Sequence, residues 1–210
     1  VKLIVAIDGP AAAGKGTLAR RIAEAFALPY LDTGLLYRAV GRKLLLAGAD
    51  PASPQAAIAA AHGLLADDLR RDDLRVPEVD RAASLVASVP GVRAALLAFQ
   101  RGFARDGAVL DGRDIGTVIF PDAPIKLFVT ASVAARAQRR WRELTGKGEH
   151  VTLPEVEADL RARDALDIAR VAAPLRPAAD AIMLDTTGLD ADSVFERARK
   201  LVSAVAANRG

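Results

Sequence analysis

The chain has 210 residues, a length that suggests one domain with small moving parts, and 51% of them are hydrophobic, enough for a buried core. Cysteine is absent, which excludes disulfides, thiolate metal sites and cysteine nucleophiles; two histidines, His62 and His150, are too few for a histidine-rich metal cage. A net charge of +3, with acids interspersed among the bases, is too weak for a nucleic-acid surface, and no run reaches the ~18 apolar residues of a membrane helix.

The first apolar run, Leu3–Ile7, reads as a buried strand. It breaks at Asp8-Gly9-Pro10, so no secretory signal is expected, and a cysteine-free chain suits a reducing, cytoplasmic location. The strand delivers the chain to Gly9-Pro10-Ala11-Ala12-Ala13-Gly14-Lys15-Gly16-Thr17. A helical pattern follows, with Leu18, Ile22 and Phe26 on one face. Glycine lets backbone N–H groups curl around phosphate oxygens. The next helix points its positive end at the same anion. Lys15 adds a point charge for the β- and γ-phosphates. All nine residues are expected to cradle a nucleoside triphosphate, ATP. The usual loop has Ser or Thr directly after the Lys as a magnesium ligand. Here that position is Gly16 and the hydroxyl comes at Thr17, so Mg²⁺ is expected to be held by the ATP phosphates, water and other residues, with no protein ligand assigned.

Further strands are expected at Pro29–Leu31, Ala108–Leu110, Ile125–Val129 and Ala181–Leu184. Helices are expected near 15–26, 34–47, 54–69, 78–88, 91–105, 131–145, 153–168 and 190–207. Such alternation implies an α/β fold with a central parallel sheet covered on both faces, and ligands at the carboxyl ends of the strands. Asp8, Asp32, Asp111 and Asp185 fall just past those ends; Asp185 reads as a polar residue closing its strand. The stretch Ala49–Ser53 reads as a turn, and the charge-dense Ala66–Val76 as an exposed connector. Leu144–Leu153, with Gly146 and Gly148, reads as a mobile loop between two Arg-rich helices.

Spacing alone leaves some residues open. Arg38 is as readily a surface arginine as a phosphate ligand, and Tyr37 a packing residue. Arg163, Asp167 and Arg170 lie at i, i+4, i+7 and share a helix face, either a solvated salt-bridge face or one turned towards a ligand.

Several motifs together resemble one family. They are Leu31-Asp32-Thr33-Gly34-Leu35-Leu36-Tyr37-Arg38, Asp111-Gly112-Arg113-Asp114-Ile115-Gly116-Thr117, Phe120-Pro121-Asp122-Ala123-Pro124, Arg163-Asp164-Ala165-Leu166-Asp167-Ile168-Ala169-Arg170 and Ala173-Pro174-Leu175. With the Gly-Lys-Gly-Thr loop they look like the bacterial cytidylate kinases, nearly end to end. One departure is the short segment between His62 and Ala83, where family members usually carry a longer insertion with a small sheet. The resemblance implies a P-loop NTPase fold with a core (1–32, 106–135 and 171–210), a monophosphate-binding part (about 33–105) and a lid (about 136–170). It implies phosphoryl transfer from ATP to CMP and dCMP, in pyrimidine nucleotide metabolism. Thr33, Tyr37, Arg38, Arg113 and Arg170 would surround the monophosphate; Ser84, Arg93 and Asp114 would read the base; Arg163 and Asp167 would meet the sugar. Arg136 and Arg140 would close over the transferred group, with Arg139 facing solvent. Asp114 could also brace Arg113. A monomer is expected, with small-molecule substrates and neither nucleic acid nor membrane as partner. The alternatives are a kinase for UMP, AMP or shikimate, or a non-catalytic nucleotide-binding protein. A GTP-dependent switch lacks its guanine-reading Asn-Lys-x-Asp.

Overall fold

The computed structural model describes residues 2–207. Five short strands form one parallel sheet: β1 (Ile4–Asp8), β2 (Tyr30–Asp32), β3 (Ala108–Gly112), β4 (Ile125–Thr130) and β5 (Ile182–Asp185). Their spatial order is β2-β3-β1-β4-β5, so the connections leaving the neighbouring strands β1 and β3 run towards opposite edges of the sheet. That switch point opens a crevice beyond the carboxyl ends of the central strands. Each ladder reaches further than the apolar run alone indicates. Asp8, Asp32 and Asp185 are the last residues of their strands and Asp111 the penultimate one, rather than lying past the ends. At Asp8, Asp32 and Asp185 the turns beyond the sheet take up the carboxylates through backbone amides. Asp8 illustrates this: its Oδ1 and Oδ2 accept the amides of Ile115 and Gly116 at 2.8 and 2.7 Å.

Helices cover both faces: α1 (Lys15–Ala25), α2 (Thr33–Leu46), α3 (Pro54–His62), α4 (Pro77–Ala87), α5 (Pro90–Phe103), α6 (Val133–Gly146), α7 (Leu153–Ala169) and α8 (Ala191–Ala207). Alternate strand residues point to opposite sides. Val5, Ile7, Val109, Leu127 and Val129 pack with Leu18 and Ile22 of α1 and Val194 and Val202 of α8. Ala6 and Leu110 face the other way, towards Ala104, Ile115 and Ile119.

The segment between β2 and β3 is all helix among the described residues and has its own core of Leu36, Val40, Ala57, Val86, Val92 and Leu96. Gly41 lets α2 lie directly on α4, since a Cβ there would sit 2.9 Å from that of Ala82. The helix expected over 54–69 stops at His62, where Gly63 caps it. Two 3₁₀ turns follow, at Ala66–Arg70 and Asp72–Arg75. This charged connector is pinned rather than free. Leu74 is buried, and Arg42–Asp73, Lys43–Asp68 and Arg75–Asp32 pair at 2.8, 2.9 and 2.6 Å.

α6 and α7 form a hairpin joined by residues 147–152. Trp141 Nε1 donates to the Val151 carbonyl at 3.1 Å, and Thr152 and Glu155 cap α7 reciprocally. The hairpin has a small core of its own: Ala137, Leu144, Val156 and Leu160, together with Ala11. No single helix among the described residues is long and apolar enough to cross a membrane.

Candidate active site

A cavity of about 450 Å³ lies beyond the carboxyl ends of β1, β2 and β3. One wall is the loop between β1 and α1. Gly9 has a φ of +146°, and a Cβ there would lie 1.9 Å from the Val129 carbonyl oxygen, so only glycine fits. Gly14, also left-handed, is the N-cap of α1 and turns the helix's first amides towards the cavity. Ala11–Thr17 line it, whereas Gly9 and Pro10 stand behind. Lys15 Nζ donates to the Pro10 carbonyl at 2.7 Å. Burial, with Arg113 nearby, lowers its pKa to about 7. A phosphate would restore its charge.

Asp111 sits under the same loop. Burial, with Asp32 nearby, raises its pKa to about 6. Its Oδ1 is buried without a hydrogen-bond partner, and its Oδ2 is 3.3 Å from where a Cβ on Gly16 would stand. A carboxylate from β3 therefore stands beside the position where the usual loop hydroxyl would be.

The opposite wall consists of guanidinium–carboxylate pairs. Asp32 caps α2 by accepting the Leu35 amide at 3.2 Å, which sets the direction of the helix carrying Thr33, Tyr37 and Arg38. Thr33 Oγ1 donates to the Asp111 carbonyl at 2.8 Å. The Tyr37 hydroxyl is buried without a partner, and the Arg93 guanidinium lies 5.4 Å from the centre of its ring. Arg93 pairs with Asp114. Ser84 is buried and donates to the Asp80 carbonyl at 3.2 Å. Arg113 Nε donates to Asp167 Oδ2 at 2.8 Å, and Arg170 pairs with Asp167 Oδ1. Burial raises the pKa of the Asp167 carboxyl, but Arg113, Arg170 and Arg163 outweigh it and hold it below the usual range.

All ten residues expected at the monophosphate line this one cavity, and so does Arg140. Three expectations, and the alternative offered for Asp114, need correction. Arg136 does not line the cavity. It is buried behind the loop, donating to the Ala131 and Ala11 carbonyls at 3.0 and 3.2 Å and pairing with Asp164 at 2.6 Å. Arg139 does not face solvent; it donates to the Thr186 hydroxyl and carbonyl at 3.0 and 2.6 Å, in the turn after β5. Asp114 braces Arg93, not Arg113, whose partner is Asp167. Arg170 lies one residue past the end of α7 and swings back onto Asp167, so the expected face is completed by the C-cap.

Sequence reasoning missed two carboxylates. Asp80 on α4 pairs with arginines from three other helices and stands in no motif. Asp8 was visible as a strand-end aspartate, but not its grip on the π-helical turn Ile115–Ile119. Burial raises the pKa of Asp8 to about 6 despite the two amides it accepts.

A family model described as cytidylate kinase matches residues 5–204. A cytidylate kinase of Granulibacter bethesdensis is 65% identical over 203 residues, covering 96% of this chain and 97% of that protein. One of Acidiphilium cryptum is 59% identical, covering 98% and 97%. A solved structure, an uncharacterized protein from Eubacterium ventriosum, shares the fold at a TM-score of 0.56 and 15% identity, covering 96% of this chain and 99% of that one. On the family match and these identities, the chain belongs to the cytidylate kinase family.

Proposed function

We propose that this chain transfers the γ-phosphoryl group of ATP to CMP and dCMP. The observation that carries the reading is one cavity with a phosphate loop on one wall and paired arginines on the other. The family it belongs to supports cytidine nucleotides as acceptors.

An oxygen of the acceptor phosphate bonds to the γ-phosphorus while the bond to the β,γ-bridging oxygen breaks, and ADP leaves with that oxygen. The attacking oxygen is ionised near neutral pH, so no side chain has to take a proton. Catalysis then rests on position and charge. Lys15 and the loop amides hold the donor phosphates. Arg38, Arg113, Arg170, Thr33 and Tyr37 hold the acceptor phosphate, and Arg140 and Arg163 neutralise charge between the two. Arg136 holds the loop from behind through the Ala11 carbonyl. Arg93 and Asp114 offer a donor and an acceptor to the cytosine edge, beside Ser84. The unpaired Asp111 oxygen suits a hard cation, so Asp111 and the ATP phosphates would hold Mg²⁺. Bound there, the ion would neutralise charge on the β- and γ-oxygens.

Residues of about 33–105 act as the monophosphate-binding part and about 136–170 as a lid, the rest being core. Closure of the hairpin excludes water, a competing acceptor. The test is initial-rate phosphorylation of CMP, dCMP, UMP and AMP with ATP and Mg²⁺. Preference for the cytidine nucleotides is expected; comparable rates with AMP or UMP would refute the reading.

A further inference from the structure

Asp80 lies in the first turn of α4 with its carboxylate in the cavity. It accepts from Arg38 Nε of α2 at 2.8 Å, and Arg140 of α6 at 2.8 Å and Arg163 of α7 at 3.3 Å pair with it. One side chain thus ties the helical segment between β2 and β3 to the α6–α7 hairpin. Little else does so there. Beside Asp80, α4 and the hairpin are separated by an apolar crevice of about 270 Å³, with Leu85 and Leu166 at its edge, both exposed. The other ion pair across it, Arg81–Asp159, is 3.7 Å long and solvent-exposed, and such pairs contribute little.

Asp80 is the carboxylate all three guanidinium groups share: Arg140 also pairs with Glu143 at 2.9 Å and Arg38 lies 3.9 Å from Asp32, whereas Arg163 pairs with Asp80 alone among the described residues. Burial raises Asp80's pKa, but Arg163, Arg38 and Arg140 outweigh it and bring it to about 2, so the carboxylate is charged at every working pH. Donors remain free. Arg163 Nε is buried without a partner. A phosphate and a carboxylate want the same guanidinium N–H groups, and a phosphate dianion brings more charge and more acceptor oxygens.

We infer that Asp80 is the internal counter-ion of the empty site, holding Arg38, Arg140 and Arg163 together across the crevice until substrate phosphates take them over. The inference rests on reading the cavity as the site of phosphoryl transfer. It makes Asp80 a positioning residue with a cost: its charge repels the anion that replaces it. Free enzyme is stabilised by Asp80, and bound enzyme less so.

Asp80→Asn separates this from a purely structural role. By calorimetry without ATP, the variant is expected to bind CMP about tenfold more tightly than wild type, the scale of a typical coupling between two bound groups. Its melting temperature should be lower than wild type when empty, and the gain on saturation with CMP should be larger. Asp80→Glu, which keeps the charge, should return both quantities towards wild type. Weaker or unchanged CMP binding, or the same loss of melting temperature with and without CMP, overturns the inference. If the Asn variant folds only when inorganic phosphate is present, phosphate has replaced the carboxylate as the inference requires; a variant unfolded even in saturating phosphate overturns it. Titrating inorganic phosphate in place of CMP distinguishes the two readings. Tighter phosphate binding by the variant supports the counter-ion even if wild-type enzyme turned over another monophosphate, whereas normal CMP turnover with unchanged phosphate binding removes the counter-ion alone.

Discussion

The two walls of the cavity solve the same problem, holding phosphate, by different means. The donor wall is backbone: the loop from Gly9 to Thr17, of which Ala11–Thr17 line the cavity, two left-handed glycines and the start of α1, with Lys15 as the loop's own cation. The acceptor wall is side chain: arginines drawn from α2, α5, the end of β3, α6, α7 and its C-cap, several leaning on buried carboxylates. A backbone cradle exists before its ligand and needs little from the rest of the molecule. A wall of ion pairs is held by its own carboxylates and must exchange partners when the ligand arrives. Changes to the first should alter rate and leave the fold alone; changes to the second should alter both.

Lys15→Ala tests the first half most severely. Its charge is needed most in the transition state, so kcat for CMP should fall by on the order of 10³-fold. Its burial already disfavours that charge, so the thermal melt should hold or rise. A lower melting temperature would break the comparison. Asp167→Ala tests the second half. It leaves Arg113 and Arg170 without their buried partner, at a cost of about 3–5 kcal/mol. For a chain of this size that lowers the melting temperature by roughly 10 °C. Turnover of CMP and dCMP should fall together by about 100-fold, measured side by side, because both need the two arginines. A larger loss for CMP would mean that Asp167 meets the ribose 2′-hydroxyl directly.

Asp114→Ala sharpens the contrast within the acceptor wall. It frees Arg93 at the base edge, and the ratio of kcat/KM for CMP over UMP should fall by about tenfold. An unchanged ratio would reduce Asp114 to a brace. The smallest effect concerns pH. The folded pKa of Lys15 is about 7, below its unfolded value, so from pH 7 upwards the unfolded chain binds the extra proton. The free enzyme should therefore gain stability as pH rises from about 7 to 10. ATP binding needs the ammonium form and should weaken progressively from pH 7 to 9. Calorimetry in two buffers of different ionisation enthalpy should show proton uptake on binding, and Lys15→Met should abolish both trends.

The two walls also differ in how far the chain announces them. The loop is contiguous, and its strand and helix follow from an apolar run and a 3.6-residue period, so Gly9–Thr17 could be read directly. All five strands and the eight main helices overlap the segments that periodicity picks out, because burial imposes it, but the helix expected over 54–69 ends at His62. The acceptor wall is assembled from distant positions. Nothing near Arg113 names Asp167, 54 residues on, as its partner. Asp80 looks like any acidic residue at the start of a helix, where the helix dipole alone would favour one. Arg136 and Arg140, one turn apart, could not be told apart by spacing, yet one is buried behind the loop and the other faces the cavity. The π-helical turn after Asp114 depends on a carboxylate 107 residues earlier, which no local propensity encodes.

Ala11 belongs both to the phosphate loop and to the small core of the α6–α7 hairpin, with Ala12 packed beside it. One methyl group therefore serves two selections. A larger side chain at position 11 disturbs the hairpin core along with any nucleotide contact, so a variant found there reports on hairpin packing as much as on donor choice. Libraries that seek a different phosphoryl donor by varying the loop alone will be depleted at this position, and their compensating changes belong some 145 residues downstream, on α7.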